Sequence, residues 1–559
     1  MEIAINRLLA VRILIFHGYL LEGTGSNVYN ARLAAALVEL GHEVHLFSQD
    51  RHPERQPFVD AAGDWDRGSL HVRDLPAGAP ALREHASGND ASALSASVRE
   101  SSPGGGRCTV YRPNIGGLLP VYVADRYEGI QARTFADCSA AEVADYIDAN
   151  VAAVREILAR VRPEIALANH LVMGPVILAR ALGGEVPYAV KVHGSALEYT
   201  VKPCPERFLD PAREGIAGAE AVLVGSRHTA VSLWRALADP ALERRTRLGP
   251  PGVDVARFVP RDDADAQAGV RALIARLRAR GQAGAARATA SPVVRRDGGE
   301  RGGAQDAFTR DDDAAARALA GIDLEHDRLV GFVGKLIVNK GIDLLIAAWP
   351  LVLERVPETQ LVVVGFGADR QLIEGLLGTL AAGDLGQAQA GALPHLRAFL
   401  RALSGERRDR YLTAARVLPE RVVFTGRLDH SELTELLPAC EALVVPSTFP
   451  EAFGMVAAEA AACGALPISA AHSGLAEVSN VLARAVPDAV APWLSFPVDD
   501  SSVPALAERI VAWLMADPAL REQARAGLVE TVRERWSWQG VARGVIAAAR
   551  GELDALPRP

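Results

Sequence analysis

Residues 442–478 read ALVVPSTFPEAFGMVAAEAAACGALPISAAHSGLAEV. Ala442–Val445 is a short, unbroken apolar run, the pattern of a strand covered on both faces. Pro446 and Ser447 end it, a loop carries Glu451, and Gly454 opens a helix that contains Glu459. A second apolar run, Ala465–Ser469, follows. The two glutamates are eight residues apart, one in the loop and one early in the helix, so both face one crevice. The free N–H groups and partial positive charge of the helix N-terminus suit a diphosphate. Phosphate repels a carboxylate, so each glutamate is better matched to a hydroxyl, which sugars and ribose supply. Taken alone, two glutamates at this spacing also fit an N-cap and a solvated surface.

The same alternation extends in both directions. Upstream, Leu329–Val333, Gln360–Val364 and Arg421–Phe424 are strand candidates separated by helical stretches. Nearer the N-terminus, Val11–Phe16 leads through a glycine-bearing loop into a helix, Val28–Leu40, ended by Gly41, and then into the strand Glu43–Ser48. Ala140–Val161 reads as a helix, and Ile165–Ala168, Tyr188–Val192 and Ala221–Val224 as further buried strands. The turn-rich Gly249–Asp254 (GPPGVD) separates the two series. The pattern predicts an α/β protein with two doubly wound domains, its ligand in the cleft between them at the carboxyl ends of the strands. The expected boundaries are 1–253, 254–533 and a C-terminal helix, 534–559, packing back on the N-terminal domain. Segment 51–130 reads as loops and short strands. Residues 281–313 read as a flexible insert and 378–418 as a helical one.

A chain of 559 residues with a net charge of −8 is long enough for two or three domains and offers no global basic face for nucleic acid. Its five scattered cysteines fit neither a disulfide framework nor a thiolate zinc site, which suits a reducing cytoplasm. Leu8–Leu21 is broken by Arg12 and His17 and lacks a cleavage signature, so no leader peptide is expected. No run reaches the roughly 20 apolar residues of a membrane span. Arg271–Arg280, where Ala, Leu and Ile alternate with arginines, reads first as a solvated basic helix. It also leaves room for weak peripheral contact with the inner membrane face.

The opening string resembles the signature of the retaining glycosyltransferases of family 4 (glycosyl transferases group 1), which have the GT-B fold of two Rossmann-like domains facing across a cleft. That signature is a Glu, seven residues, a second Glu, then a Cys-Gly-x-Pro segment and a Gly-x-x-Glu segment. The resemblance covers nearly the whole chain. It implies that Glu451 contacts the transferred sugar and Glu459 the ribose, with the backbone at Phe453, Gly454 and Met455 on sugar or phosphate. Lys335 and Lys340, in VGKLIVNKGID (333–343) beside Gly334, match the family's two cations, a diphosphate clamp that takes the place of a metal ion. The backbone at Leu428 is matched to the base.

In the N-terminal half, the loop GTGSN (23–27) deviates from a dinucleotide fingerprint because Val28 stands at its third glycine position, although Asp50 lies near the end of the second strand. The resemblance places Gly23 and Gly25 near the donor phosphate and His193 near sugar and acceptor, where it either donates a hydrogen bond or receives a proton. Ser226 and Arg227 are weaker strand-end candidates. The implied reaction is metal-independent retaining transfer from a UDP- or GDP-type sugar to a carbohydrate or lipid-linked hydroxyl, without a protein nucleophile. A catalytically silent nucleotide-sugar-binding subunit and a sugar-nucleotide epimerase share the architecture and are the alternatives.

Overall fold

The computed structural model describes residues 10–22, 25–66, 68–75, 105–122, 130–290, 310–390 and 392–559, with the backbone alone for 283–290. It divides into two compact units, Met1–Gly252 with Trp538–Pro559, and Val253–Ser537. The strands of the first are β1 (Arg12–Phe16), β2 (Glu43–Phe47), β3 (Ala61–Asp66), β4 (Ser69–Asp74), β5 (Arg107–Arg112), β6 (Leu118–Val121), β7 (Gln131–Thr134), β8 (Ile165–Asn169), β9 (Tyr188–Val192), β10 (Ala221–Val224) and β11 (Thr246–Leu248). Nine of these form one sheet in the order β11-β10-β9-β8-β1-β2-β5-β3-β4, parallel throughout except for β3–β4, and β6–β7 form a small parallel pair. The central strands are buried along almost their whole length, as expected of a parallel sheet covered by helices on both sides.

Local signals in the sequence explain the helix ends. Helix Ala140–Val161 starts with a reciprocal capping box between Ser139 and Glu142, which satisfies two otherwise orphan N–H groups. The first long helix begins at Gly25, a turn earlier than the apolar pattern alone indicates, and ends at Glu39. Helix Trp538–Ala549 buries Trp538, Ala542, Val545 and Ile546 in the same core as Tyr29, Leu33 and Leu37.

The second unit is a six-stranded parallel sheet, formed by β12 (Arg328–Val333), β13 (Thr359–Val364), β14 (Val422–Gly426), β15 (Cys440–Val445), β16 (Leu466–Ala470) and β17 (Ser495–Phe496) in the order β14-β13-β12-β15-β16-β17. The chain runs outward from β12 in one direction and from β15 in the other. The gap beyond the carboxyl ends of these two adjacent strands is therefore the topological switch point, where open α/β sheets bind ligands.

The two inserted segments fold in distinct ways. Segment 378–418 is helical. Tyr411 anchors it, donating to the Ala347 carbonyl at 2.9 Å and packing edge-to-face on Phe399. The insert expected over 281–313 is described only at its two ends. Residues 281–290 continue the long helix Asp263–Ala290, and 312–313 open helix Asp312–Ala320; residues 291–309 lie outside the described residues. Val270, Leu273 and Leu277 belong to the unit's core, so the apolar positions between the arginines of 271–280 are occupied by packing. Among the described residues, no helix is long and apolar enough to cross a membrane.

Candidate functional site

In the second unit, the loops after β12, β15 and β16 converge at the switch point. After β12, Gly334 donates its N–H to the Val364 carbonyl at 3.0 Å. Lys335 beyond it is exposed. Lys340 ends a short turn in which Gly341 has a φ of 66°. A Cβ on Gly341 would lie 1.9 Å from the Pro446 carbonyl oxygen, so only glycine lets the loops after β12 and β15 touch here. Gly365 plays the same part after β13, where a Cβ would meet the Gly334 carbonyl oxygen at 2.0 Å.

That contact joins the two charges. Lys340 Nζ is paired with Glu451 Oε1, and the Ser447 hydroxyl donates to the same oxygen at 2.7 Å. Glu451 Oε2 is the oxygen left without a partner among the described residues. The Glu451 backbone is held from the β16 side: its N–H donates to Ser473 Oγ at 2.9 Å and its carbonyl accepts from Gly474 N–H at 2.9 Å. His472 completes the brace. Its Nε2 lies 2.7 Å from the Ser447 carbonyl, which can only accept, so Nε2 carries the proton. In the neutral ring Nδ1 then accepts from the Ser473 hydroxyl at 3.0 Å. Ser473 holds a left-handed φ of 51°, a conformation non-glycine residues adopt only where neighbouring contacts enforce it.

Helix Met455–Ala462 starts at Gly454, whose φ is 156° and whose Cβ would meet Leu475 at 2.8 Å. Phe453 is buried edge-to-face against Trp536. Glu459 is 3% exposed and accepts at Oε1 from His430 Nε2 at 2.6 Å. Leu428 is buried just after β14, and its neighbour Arg427 lies over the Phe366 ring. Asp343, in the first turn after Lys340, has one carboxylate oxygen without a partner. Burial pushes its pKa up to about 6.

In the first unit, the switch point lies beyond β1 and β8. Phe16 is followed by His17, Asn169 by His170, and β9 by His193, and their rings meet: His170 is 4.9 Å from His193 and 5.9 Å from His17, centroid to centroid. His17 Nε2 faces two acceptors, the Leu20 carbonyl at 2.9 Å and Asn27 Oδ1 at 3.0 Å, while the Asn30 amide donates to Nδ1 at 3.0 Å. This network requires the neutral ring, and burial lowers the pKa of His17 to about 4. His193 donates from Nε2 to Asn169 Oδ1 at 2.9 Å. Burial, reinforced by His170 and Lys191, keeps it uncharged and leaves Nδ1 as an acceptor. Of the two roles open to His193, donation is thus already committed to Asn169.

Of the remaining sequence candidates, Asp50, Ser226 and Arg227 have structural partners. Gly25 is the first residue of its helix, with open space around it; Gly23 lies outside the described residues. Asp50 accepts from the Leu21 and His52 backbone N–H groups. Ser226 caps helix Arg227–Leu237, and Arg227 donates to the Pro559 carbonyl. The structure joins Lys340 and Glu451 directly and sets Glu459 on the adjoining helix. It also adds Ser447, His472, Ser473 and His430, for which the only advance signal was a position at or just beyond a strand end. Among the described residues, no group of three or more His, Cys, Asp or Glu is placed to hold a metal ion.

Comparison with known proteins places this geometry in a family. Residues 321–526 match the family described as "Glycosyl transferases group 1" and residues 24–249 the "Glycosyl transferase 4-like domain". The chain belongs to this glycosyltransferase family, and its two units have the GT-B fold. Among curated relatives, the D-inositol 3-phosphate glycosyltransferase of Segniliparus rotundus is 31% identical over 248 residues, 44% of each chain. The glycogen synthase of Mycobacterium tuberculosis is 29% identical over 231 residues, 41% of this chain and 44% of that one. The chain thus spans less than half the length of these relatives. Among solved structures, sucrose-phosphate synthase from Thermosynechococcus elongatus superposes with a TM-score of 0.51 at 18% identity, covering 97% of this chain and 99% of that one. HepE of Anabaena in complex with UDP gives 0.52 at 15%, covering 97% and 100%.

Proposed function

We propose that the protein is a retaining glycosyltransferase that moves a sugar from a nucleoside diphosphate sugar, of the UDP or GDP type, to a hydroxyl of a carbohydrate or lipid-linked acceptor. The observation that carries this reading is the Lys340–Glu451–Ser447 contact at the switch point, beside the Gly454 helix N-terminus. In the free protein Lys340 and Glu451 neutralise each other. An arriving diphosphate competes for Lys340, and with Lys335 and the helix N–H groups it is held by fixed positive charge. Glu451, braced through its backbone by Ser473 and Gly474, then presents its carboxylate to sugar hydroxyls, and Glu459 meets the ribose. The bond from the anomeric carbon to the phosphate oxygen breaks, the acceptor oxygen bonds to the same face, and its proton passes to the departing phosphate. Positive charge from the lysines makes the reaction independent of a divalent cation. In the N-terminal unit, His193 Nδ1 serves as acceptor for a hydroxyl.

A thermal-shift panel of UDP-glucose, UDP-N-acetylglucosamine, GDP-mannose and ADP-glucose tests the donor class, since a ligand that binds only the folded state raises apparent stability by mass action. Stabilisation by one donor that is lost in Glu451→Ala supports the assignment. Stabilisation by none, or an unchanged shift in the variant, refutes it.

A further inference from the structure

Helix Asp263–Ala290 packs against both helix Asp312–Ala320 and helix His430–Leu436. The contact is built on charge. Glu432, 3% exposed, receives Arg310 Nη2 at 2.7 Å and is also paired with Arg280. Arg310 reaches Asp312 at 2.6 Å through Nε and Asp429 at 2.7 Å through Nη1, while Arg280 Nε lies 3.2 Å from Asp312. Burial would raise the Glu432 carboxyl, but hydrogen bonds from Arg310 and Arg280 outweigh it and hold the pKa low. Glu432 Oε2 meanwhile accepts the Asp429 backbone N–H at 2.6 Å as half of a capping box. A buried carboxylate thus pins the first turn of a helix of only seven residues to Arg280 of one helix and Arg310 just before the other, far more than capping alone requires.

The residue that this turn delivers is His430. Its Nε2 faces Glu459 Oε1, a carboxylate that accepts only, so Nε2–H is the donor. Phe258 packs edge-to-face on the imidazole at 5.0 Å, which sets the ring plane. The other oxygen, Glu459 Oε2, has no partner among the described residues and is not among the buried unpaired atoms, so it is the one open to a ligand. We propose that His430 is a positioning residue for Glu459, dedicating Oε2 to the ribose diol of the donor, and that the Arg280–Arg310–Asp312–Glu432 cluster holds His430 in place. This rests on the reading of Glu459 as the ribose contact. It makes this helical pair a working part of the nucleotide site.

The test is calorimetric binding of UDP, GDP and ADP, each against its 2′,3′-dideoxy counterpart. For the nucleotide that binds, wild type prefers the ribose form by at least about tenfold, and Glu459→Ala removes the preference. Absence of any preference in wild type overturns the ribose reading itself. With that preference established, His430→Phe, which keeps the ring but not the donor, brings it to within about threefold with the affinity for the dideoxy form unchanged. His430→Gln, which keeps a donor but not the ring, retains it. A full preference in His430→Phe, or equal losses in both variants, overturns the positioning role. Arg310→Met lowers the preference in the same direction; an unchanged value overturns the clamp. A measurement on unsubstituted, 15N-histidine-labelled protein does not depend on any variant folding: the His430 Nε2–H signal persists when the nucleotide binds, and its loss on binding counts against the proposal.

Discussion

Removing Lys340 separates a structural lysine from a catalytic one. In the free protein its Nζ is paired with Glu451 Oε1, with side-chain exposures of 31% and 27%. A pair this open to solvent is worth about 1 kcal/mol or less. Its loss leaves Glu451 with the Ser447 hydroxyl at 2.7 Å, so the carboxylate is not orphaned. Lys340→Ala is therefore expected to cost about 1 kcal/mol of stability. Under the proposed mechanism the same nitrogen faces the developing charge of the leaving diphosphate, and deleting one preorganised donor of that kind costs about 10²–10³-fold in kcat. Lys340→Arg keeps the charge but replaces a point donor with a planar fork, and falls between wild type and Ala. The assay is release of nucleoside diphosphate from the donor found by thermal shift, run beside denaturant unfolding of the same preparations. A fall in kcat of less than tenfold, accompanied by a stability loss above 2 kcal/mol, would refute the reasoning and make the lysine a structural cation.

Other outcomes follow from single contacts. Asp343 has its pKa raised from 3.8 to about 6, so folding favours its protonated form; that contribution is complete below pH 3.8 and is lost as pH rises through 6. Asp343→Asn should match wild-type stability near pH 4 and exceed it by up to about 3 kcal/mol at pH 7.5, measured by urea unfolding across that range. Gly474→Ala places a Cβ 2.7 Å from the Glu451 carbonyl oxygen and the Ala452 backbone; it should displace the Glu451 loop and lower kcat/KM by more than tenfold in steady-state assays. Trp538→Ala empties a buried site in the first unit's core and should lower the stability of that unit by about 3–5 kcal/mol, read from tryptophan-independent circular dichroism. Under the proposed mechanism, in which lysines supply the positive charge at the diphosphate, turnover with excess EDTA should equal turnover without it.

Periodicity carried much of the fold. Runs such as Ile165–Ala168 and Ala442–Val445 are buried strands because a parallel sheet sandwiched by helices selects continuous apolar stretches, and glycines mark where its loops turn. The Glu451-to-Glu459 spacing was legible for a similar reason, since a strand, a loop and a helix start place both on one side of the sheet's carboxyl edge. The 271–313 segment was legible only in part, because its composition does not reveal that Leu273 and Leu277 find a core or that Arg280 and Arg310 find Glu432. Ion pairs between residues more than a hundred positions apart leave no local periodic trace.

The division of labour follows from range. Sequence by itself determined what depends on neighbours along the chain: the two βα series, the helix starts near Ala140 and Gly454, the family signature, and which residues carry charge at strand ends. Only the tertiary structure decided what those charges do. Chain crossing at the switch point pairs Lys340 with Glu451, gives Glu459 to His430, and ties His193 to Asn169 in its neutral form. Each of these depends on two loops meeting in space, and hydrogen-bond partners, burial and protonation are properties of that meeting rather than of either loop alone.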